Sequence, residues 1–308
     1  MILTFPKILE MVNFGRYKEA LKWKNKAIEL NKKIFGERHI ETCRAITYLG
    51  NIYFHLGDYN KALSIHEANY KNMLNTFGEN NMYVMRALNS YGIILVTLGR
   101  YEECLQVREQ VLNKFKELLG NEHPYTVGAL SNYGTILQRL GRYEECLKVR
   151  EEVINKCKEI MGENHPETIN ALNSYAWSCF LGGISTNGLE YIKACIMKSK
   201  EINVSSHKMI NYSDTLALIY VDTGNIDEAI KISLDNLELI KSVYPDNKLK
   251  LSNRLFTCAY VFNSKGDKEK ALYYALKCKS LRKECSIKDD TDTLLQKLLA
   301  QLPGRPAS

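Results

Sequence analysis

The chain repeats itself every 42 residues, and that period constrains its fold more than any other feature. Leu140-Gly141-Arg142-Tyr143-Glu144-Glu145-Cys146-Leu147 stands unchanged at 98–105. One further step back lie Leu56-Gly57-Asp58-Tyr59-Asn60-Lys61-Ala62-Leu63, and another step reaches Phe14-Gly15-Arg16-Tyr17-Lys18-Glu19-Ala20-Leu21. Going forward, Leu181-Gly182-Gly183 keeps the phase, Thr223-Gly224-Asn225 arrives one residue early, and Lys265-Gly266-Asp267 resumes the step. Seven copies of one unit span nearly all of the 308 residues.

Each copy reads as a helix, a turn at the glycine, and a second helix. In the second copy Ile46, Leu49, Gly50 and Tyr53 precede the turn at helical spacing, and Tyr59, Ala62, Leu63 and Ile65 follow it. A glycine just past a helix end enters the left-handed region without the penalty a Cβ imposes. Small residues hold one phase in the first helix (Gly50, Gly92, Gly134, Ala176, Ala217, Ala259) and one in the second (Ala20, Ala62, Cys104, Cys146, Gly188, Ala229, Ala271). At those phases two helices are expected to touch closely.

The pattern Leu49-Gly50, Tyr53, Gly57, Tyr59, Ala62 and its counterparts resembles the tetratricopeptide repeat. The 42-residue step and the boundaries Gly120-Asn121-Glu122-His123-Pro124 and Gly162-Glu163-Asn164-His165-Pro166-Glu167-Thr168 are similar to the long-helix variety of kinesin light chains. The resemblance implies an all-α, right-handed α-solenoid of about seven repeats, at 1–39, 40–81, 82–123, 124–165, 166–207, 208–248 and 249–286. Asp290-Thr291-Asp292-Thr293 opens a capping helix over 290–302, and 303–308 has no periodicity, as a disordered or appended tail would. Such repeats mostly recognise proteins or peptides, so binding is implied and the ligand is left open.

The ends and the fifth copy depart from the pattern. Pro6 falls in the middle of the first copy's first helix, and Ile8, Leu9 and Val12 would be poorly covered there. Either a short end repeat or a piece of a longer protein fits, and the uncovered residues favour the piece. In the fifth copy Gly188 lies inside the second helix, and the boundary Asn203-Val204-Ser205-Ser206-His207 lacks the usual Gly and Pro. A bend or joint is expected there, with tolerated drift an equal alternative.

Several functions are disfavoured. No apolar run approaches the roughly 18 residues that span a membrane, and the start lacks a secretory leader. The nine cysteines mostly occupy positions where other copies carry small apolar residues; a reducing, cytoplasmic setting is expected. His39, His123, His165 and His207 share one phase, with Asn81 in the missing slot. At about 10 Å per repeat they are too far apart for one metal, and beside Pro124 and Pro166 they read as helix caps. No metal, cofactor or catalytic motif is found; Glu102-Glu103 and Glu144-Glu145 complement helix N-termini. The formal net charge of +7 raises nucleic acid as a partner, but the lysines are interleaved with glutamates on second helices and no nucleic-acid module appears.

In this family the first helices line an inner groove, which directs attention to their polar and aromatic positions. The candidate partner-binding residues are Arg44, Tyr48, Asn51, Asn89, Asn132, Arg139, Asn173, Trp177, Phe180, Asn211, Asn253, Phe256 and Tyr260. Asn amides can donate and accept at once to an extended segment, while the aromatics act as anchors. The alternative is that the asparagines bridge neighbouring helices as an internal ladder. The family's basic clamp for a terminal carboxylate is not matched, since Arg44 and Asn51 are followed by Ser90 and Gly128. The expected function is a protein-interaction scaffold without catalysis. The alternative is a ligand-sensing regulatory domain of a larger signalling ATPase or effector.

Overall fold

A computed structural model describes residues 17–285 and 290–302. The expectations for Pro6, the first copy's first helix and the 303–308 tail lie outside the described residues. Fourteen helices and no strand occur among the described residues. After α1 (Tyr17–Phe35) they come in pairs: α2 (Ile40–His55) with α3 (Tyr59–Phe77), α4 (Met82–Thr97) with α5 (Tyr101–Leu119), and α6 (Pro124–Arg139) with α7 (Tyr143–Met161). The remaining pairs are α8 (Pro166–Leu181) with α9 (Ser185–Glu201), α10 (Ser206–Asp222) with α11 (Ile226–Val243), and α12 (Lys248–Lys265) with α13 (Lys268–Cys285). The last helix is α14 (Asp290–Gln301). This is a helical-repeat solenoid fold.

The chain forms two compact units, 1–136 and 137–308. Their boundary falls inside the fourth copy's first helix rather than at the irregular fifth. Within each unit consecutive helices pack together, and in the second unit the first helices α8, α10 and α12 also touch one another directly. Helix α14 packs on α12 and α13 with Leu295, Leu298 and Leu302 buried.

The turns follow from local chemistry. Gly57, between α2 and α3, has φ 81°, and Gly120, at the end of α5, has φ 85°. At the fifth boundary Asn203 takes this role at φ 51°, a conformation asparagine tolerates better than other side chains. His39, His123 and His165 accept from the backbone N–H two residues on through Nδ1, at 3.3, 3.1 and 3.2 Å, and Asn81 does the same through Oδ1 at 2.8 Å. His207 departs from this pattern. Ser205 is the cap residue of α10, two residues ahead of the 42-residue phase, so His207 falls within the helix, where its ring meets Tyr244 edge-on.

Gly50 and Gly92 of the first helices also make room for large side chains of the second helices. A Cβ on Gly50 would stand 2.5 Å from Nε2 of buried His66, and one on Gly92 would stand 3.2 Å from the guanidinium carbon of buried Arg108. Where the second helix instead carries Ile192, Ser233 or Ala275, the first carries Ala176, Ala217 or Ala259. Glycine appears where a large basic side chain must be accommodated. Gly188 does mark a close helix contact, since its Cβ would meet Cys179 Cβ at 3.0 Å and Ala176 O at 3.1 Å.

Candidate functional site

The first helices of the first unit frame two adjoining recesses. One, of about 190 Å³, lies between α2 and α4 and is lined by Arg44, Thr47, Tyr48, Asn51, Met73, Tyr83, Arg86, Ala87 and Ser90. The other, of about 250 Å³, lies between α4 and α6 and is lined by Met82, Arg86, Asn89, Phe115, Pro124, Tyr125, Gly128, Ala129 and Asn132. Arg86 belongs to both, and no Asp or Glu lines either. The 42-residue step explains the placement: Arg86 repeats Arg44 one copy later, so the two guanidinium groups extend from the same face of neighbouring first helices.

The polar atoms of these recesses divide into occupied and free. Arg44 is exposed and donates to Glu41 Oε1 at 2.6 Å on its own helix. Thr47 and Ser90 donate to backbone carbonyls of Cys43 and Arg86, the ordinary use of a hydroxyl inside a helix. The side chains of Arg86, Asn51 and Asn132 make no hydrogen bond or ion pair among the described residues. Tyr83 and Tyr125 are 45% and 56% exposed. Behind Tyr48 lies the ammonium of Lys24, 4.8 Å from the ring centroid, and burial together with the Arg44 charge lowers its pKa to about 8.

Asn89 is oriented from behind. Buried Arg108 donates to both its Oδ1 and its backbone carbonyl. A guanidinium has no acceptor, so the amide must turn its oxygen to Arg108 and its NH2 group the other way. The same chemistry recurs in the second unit, where Asn211 Oδ1 accepts from Arg254, Asn253 Oδ1 accepts from Arg282 at 3.0 Å, and Asn170 Oδ1 accepts from the Tyr212 hydroxyl. These asparagines therefore do not both donate and accept outward. Their oxygens are engaged within the fold, those of Asn170 and Asn211 by the next first helix and those of Asn89 and Asn253 by a second helix.

The second unit uses most of its candidate residues on itself. Phe256 is 2% exposed and Phe180 is 6% exposed, so both are core residues and neither is presented as an anchor. Trp177 and Phe180 rings lie 5.4 Å apart, Phe180 and Tyr260 5.5 Å, and Phe256 and Tyr260 6.1 Å, a chain of aromatics joining α8 to α12. Asp222 on α10 accepts from the Tyr260 hydroxyl at 3.1 Å and from Ser185 at 2.6 Å. Burial, with the Asp222 carboxylate beside it, raises the Tyr260 pKa. Deeper in, Arg254 pairs with Asp214 at 2.7 Å while Asn236 donates to the same carboxylate at 2.8 Å. Asn173 turns a buried, unpartnered Oδ1 inward, and Arg139 is half-buried at the end of α6.

Of the thirteen candidates, then, Arg44, Tyr48 and Asn51 share one recess and Asn89 and Asn132 the next, whereas those of the second unit are mostly tied up. Arg86 was missed. Stepping 42 residues from Arg44 lands on it, whereas comparison with Ser90, which shares the phase of Tyr48, does not.

Two family models, both described as tetratricopeptide repeat, match residues 13–75 with 125–183 and residues 84–125, together more than half of the chain. The chain belongs to the tetratricopeptide repeat family. No curated protein matches its sequence. Among solved structures this tetratricopeptide chain is similar to the apo form of RapI, at 12% identity and a TM-score of 0.73, covering 92% of this chain and 97% of that one. It is also similar to a Rap protein complexed with competence and sporulation factor, at 14% identity and a TM-score of 0.65, covering 91% and 74%. A third similar structure is a putative kinesin light chain from Podosopora anserina with nearly identical repeats, at 15% identity and a TM-score of 0.60, covering 65% and 94%. At such identities these neighbours support the fold. Among the described residues no helix is long and apolar enough to cross a membrane.

Proposed function

We propose that this chain is a non-catalytic binding module of a reducing, cytoplasmic setting that captures a peptide segment of a partner protein. The segment lies across the first helices α2, α4 and α6 of the first unit. The observation that carries this is Arg86, an exposed guanidinium without a partner, shared by two adjoining recesses that contain no carboxylate. An unpaired Arg flanked by exposed Tyr83 and Tyr125 has the composition of an interface hot spot, where Arg and aromatic residues supply most of the binding energy. The burial of eight cysteines supports the reducing setting; burial pushes Cys179 to about 11 and Cys195 to about 12, as expected of unreactive thiols. The similar fold of a Rap protein complexed with competence and sporulation factor is consistent with capture of a ligand by such a repeat array.

The test is selection of peptides from a displayed random library against the whole chain, followed by titration of the winners. Arg86→Ala is expected to weaken binding about tenfold or more, a loss of about 1.4 kcal/mol, and Trp177→Ala to leave it unchanged. Selected peptides that bind the Arg86→Ala and Asn132→Ala variants as well as the parent chain would place capture elsewhere.

A further inference from the structure

We infer that the paired recesses of the first unit recognise a phosphorylated side chain on the captured segment, with Arg86 as its principal ligand and Arg108 as a positioning residue. This rests on the capture reading and goes further by naming the chemistry recognised.

The lining is one-sided. Arg86 presents a free guanidinium to both recesses and Arg44 a second one to the first, while no carboxylate faces them. Asn89 cannot vary its offer, because Arg108, only 5% exposed, holds its oxygen from behind and leaves the NH2 group as the outward function. Asn51, Tyr83, Tyr125 and Asn132 add groups able to donate. A surface dominated by donors and cations selects an acceptor-rich anion.

The number of donors points beyond a single carboxylate, which is filled by one bidentate guanidinium. A phosphoryl group brings about −1.5 to −2 charges and three terminal oxygens, enough to engage Arg86 and Arg44 together with a neighbouring amide. Arginine's fork matches two oxygens of such a group, which lysine cannot reproduce. The first recess, at about 190 Å³, has room for the side chain carrying the phosphoryl group as well, with Tyr48, Tyr83 and Met73 beside it. Arg44 already holds Glu41, but that pair is solvent-exposed and i,i+3, a contact worth little and readily exchanged.

The experiment is a peptide array in matched sets, each sequence present unphosphorylated, phosphorylated on Ser, Thr or Tyr, and with Glu at the same position. It is probed with the whole chain and with its Arg86→Ala, Arg86→Lys, Arg108→Met and Trp177→Ala variants. Titration of the hits by fluorescence anisotropy and thermal unfolding of each variant accompany it. The expected result is a preference of at least tenfold for phosphorylated over unphosphorylated members, with Glu members in between. That preference falls to near unity in Arg86→Ala, is partly restored in Arg86→Lys, and is unchanged in Trp177→Ala. Arg108→Met should reduce the preference in proportion to its effect on Asn89 and not on overall binding; if that variant unfolds, Asn89→Leu in the folded parent tests the same contact. Equal binding of phosphorylated and unphosphorylated members, lost in Arg86→Ala, overturns phosphoryl recognition and leaves segment capture standing. Binding indifferent to Arg86→Ala, or no binding by any member, overturns both.

Discussion

At the residue scale, the chain shows how a single phase can carry opposite chemistry in different copies. The second-helix position held by Lys24, His66 and Arg108 in the first unit and by Arg150 at the start of the second is held by Ile192, Ser233 and Ala275 further along, and all seven are buried. Each basic occupant must desolvate, and burial alone takes His66 down to about 4. Because its folded pKa lies below the ordinary value of 6.5, His66 contributes stability that is present above pH 6.5 and lost as pH falls towards 4. Replacing His66 with Gln should flatten that part of the stability profile, measured by denaturant unfolding at a series of pH values. The glycine opposite is equally constrained. Gly50→Ala would drive a methyl into the imidazole at 2.5 Å and should destabilise the fold by about 1–3 kcal/mol, with His66→Ala in the same chain relieving the overpacking. A melting midpoint that Gly50→Ala leaves unmoved would remove this account of the glycine.

At the element scale, what matters is how first helices are joined. In the second unit α10 and α12 are locked by the buried pair of Asp214 and Arg254, with Asn236 of α11 completing the carboxylate. Removing one partner of such a pair strands the other charge, so Arg254→Met should cost about 3–5 kcal/mol in unfolding free energy. The carboxylate also has a pH signature. Burial raises Asp214 to about 6 against the opposing pull of Arg254 and Asn236, above its ordinary 3.8. Its contribution to stability is therefore fully present below about pH 4 and is lost as pH rises through 6. Comparing unfolding of the parent and Asp214→Asn chains at pH 4 and pH 7 checks this: the parent should gain on the variant at the lower pH. The first unit has a looser arrangement on the same face, where Arg44 and Arg86 flank an open recess rather than an ion pair.

At the scale of the whole molecule, the candidate residues of the two units meet different surroundings. Aromatic residues that a linear reading assigns to ligand capture close the inner face of the second unit through Phe180, Tyr260 and Asp222. The first unit keeps Arg44, Arg86, Tyr83 and Tyr125 exposed. The capture proposed for the first unit relies on charge in part, and raising salt from low to about 1 M, where the screening length shrinks to about 3 Å, should weaken it several-fold. Tyr260→Phe should leave capture unaltered while lowering the melting midpoint, because it removes the hydroxyl that holds Asp222. If Tyr260→Phe instead abolished binding of peptides selected on the parent chain, the assignment of capture to the first unit would be wrong.

Periodicity made the helices, their order and most of their turns legible, because seven copies of one unit at a step of 42 residues, once 41, admit few alternatives to stacked helix pairs. The family followed from the same signal, and so did the capping histidines, whose position beside a helix start is a local property. The early arrival of Thr223-Gly224-Asn225 was visible too, yet the sequence left His207 on the capping phase, since moving a residue from cap to helix interior depends on where the backbone turns. The candidate site was legible only in part. Sequence names the residues on the inward face of each first helix, but whether Asn89 offers its oxygen or its NH2, or whether Phe256 reaches solvent, is decided by neighbours from other helices. Arg108 stands 19 residues from Asn89 and Arg254 stands 43 from Asn211. A buried cation can choose which end of an amide faces outward, and a ring two repeats away can fill a groove. Those choices are made by tertiary packing, because burial and hydrogen-bond pairing belong to the surroundings of a side chain and not to the side chain itself.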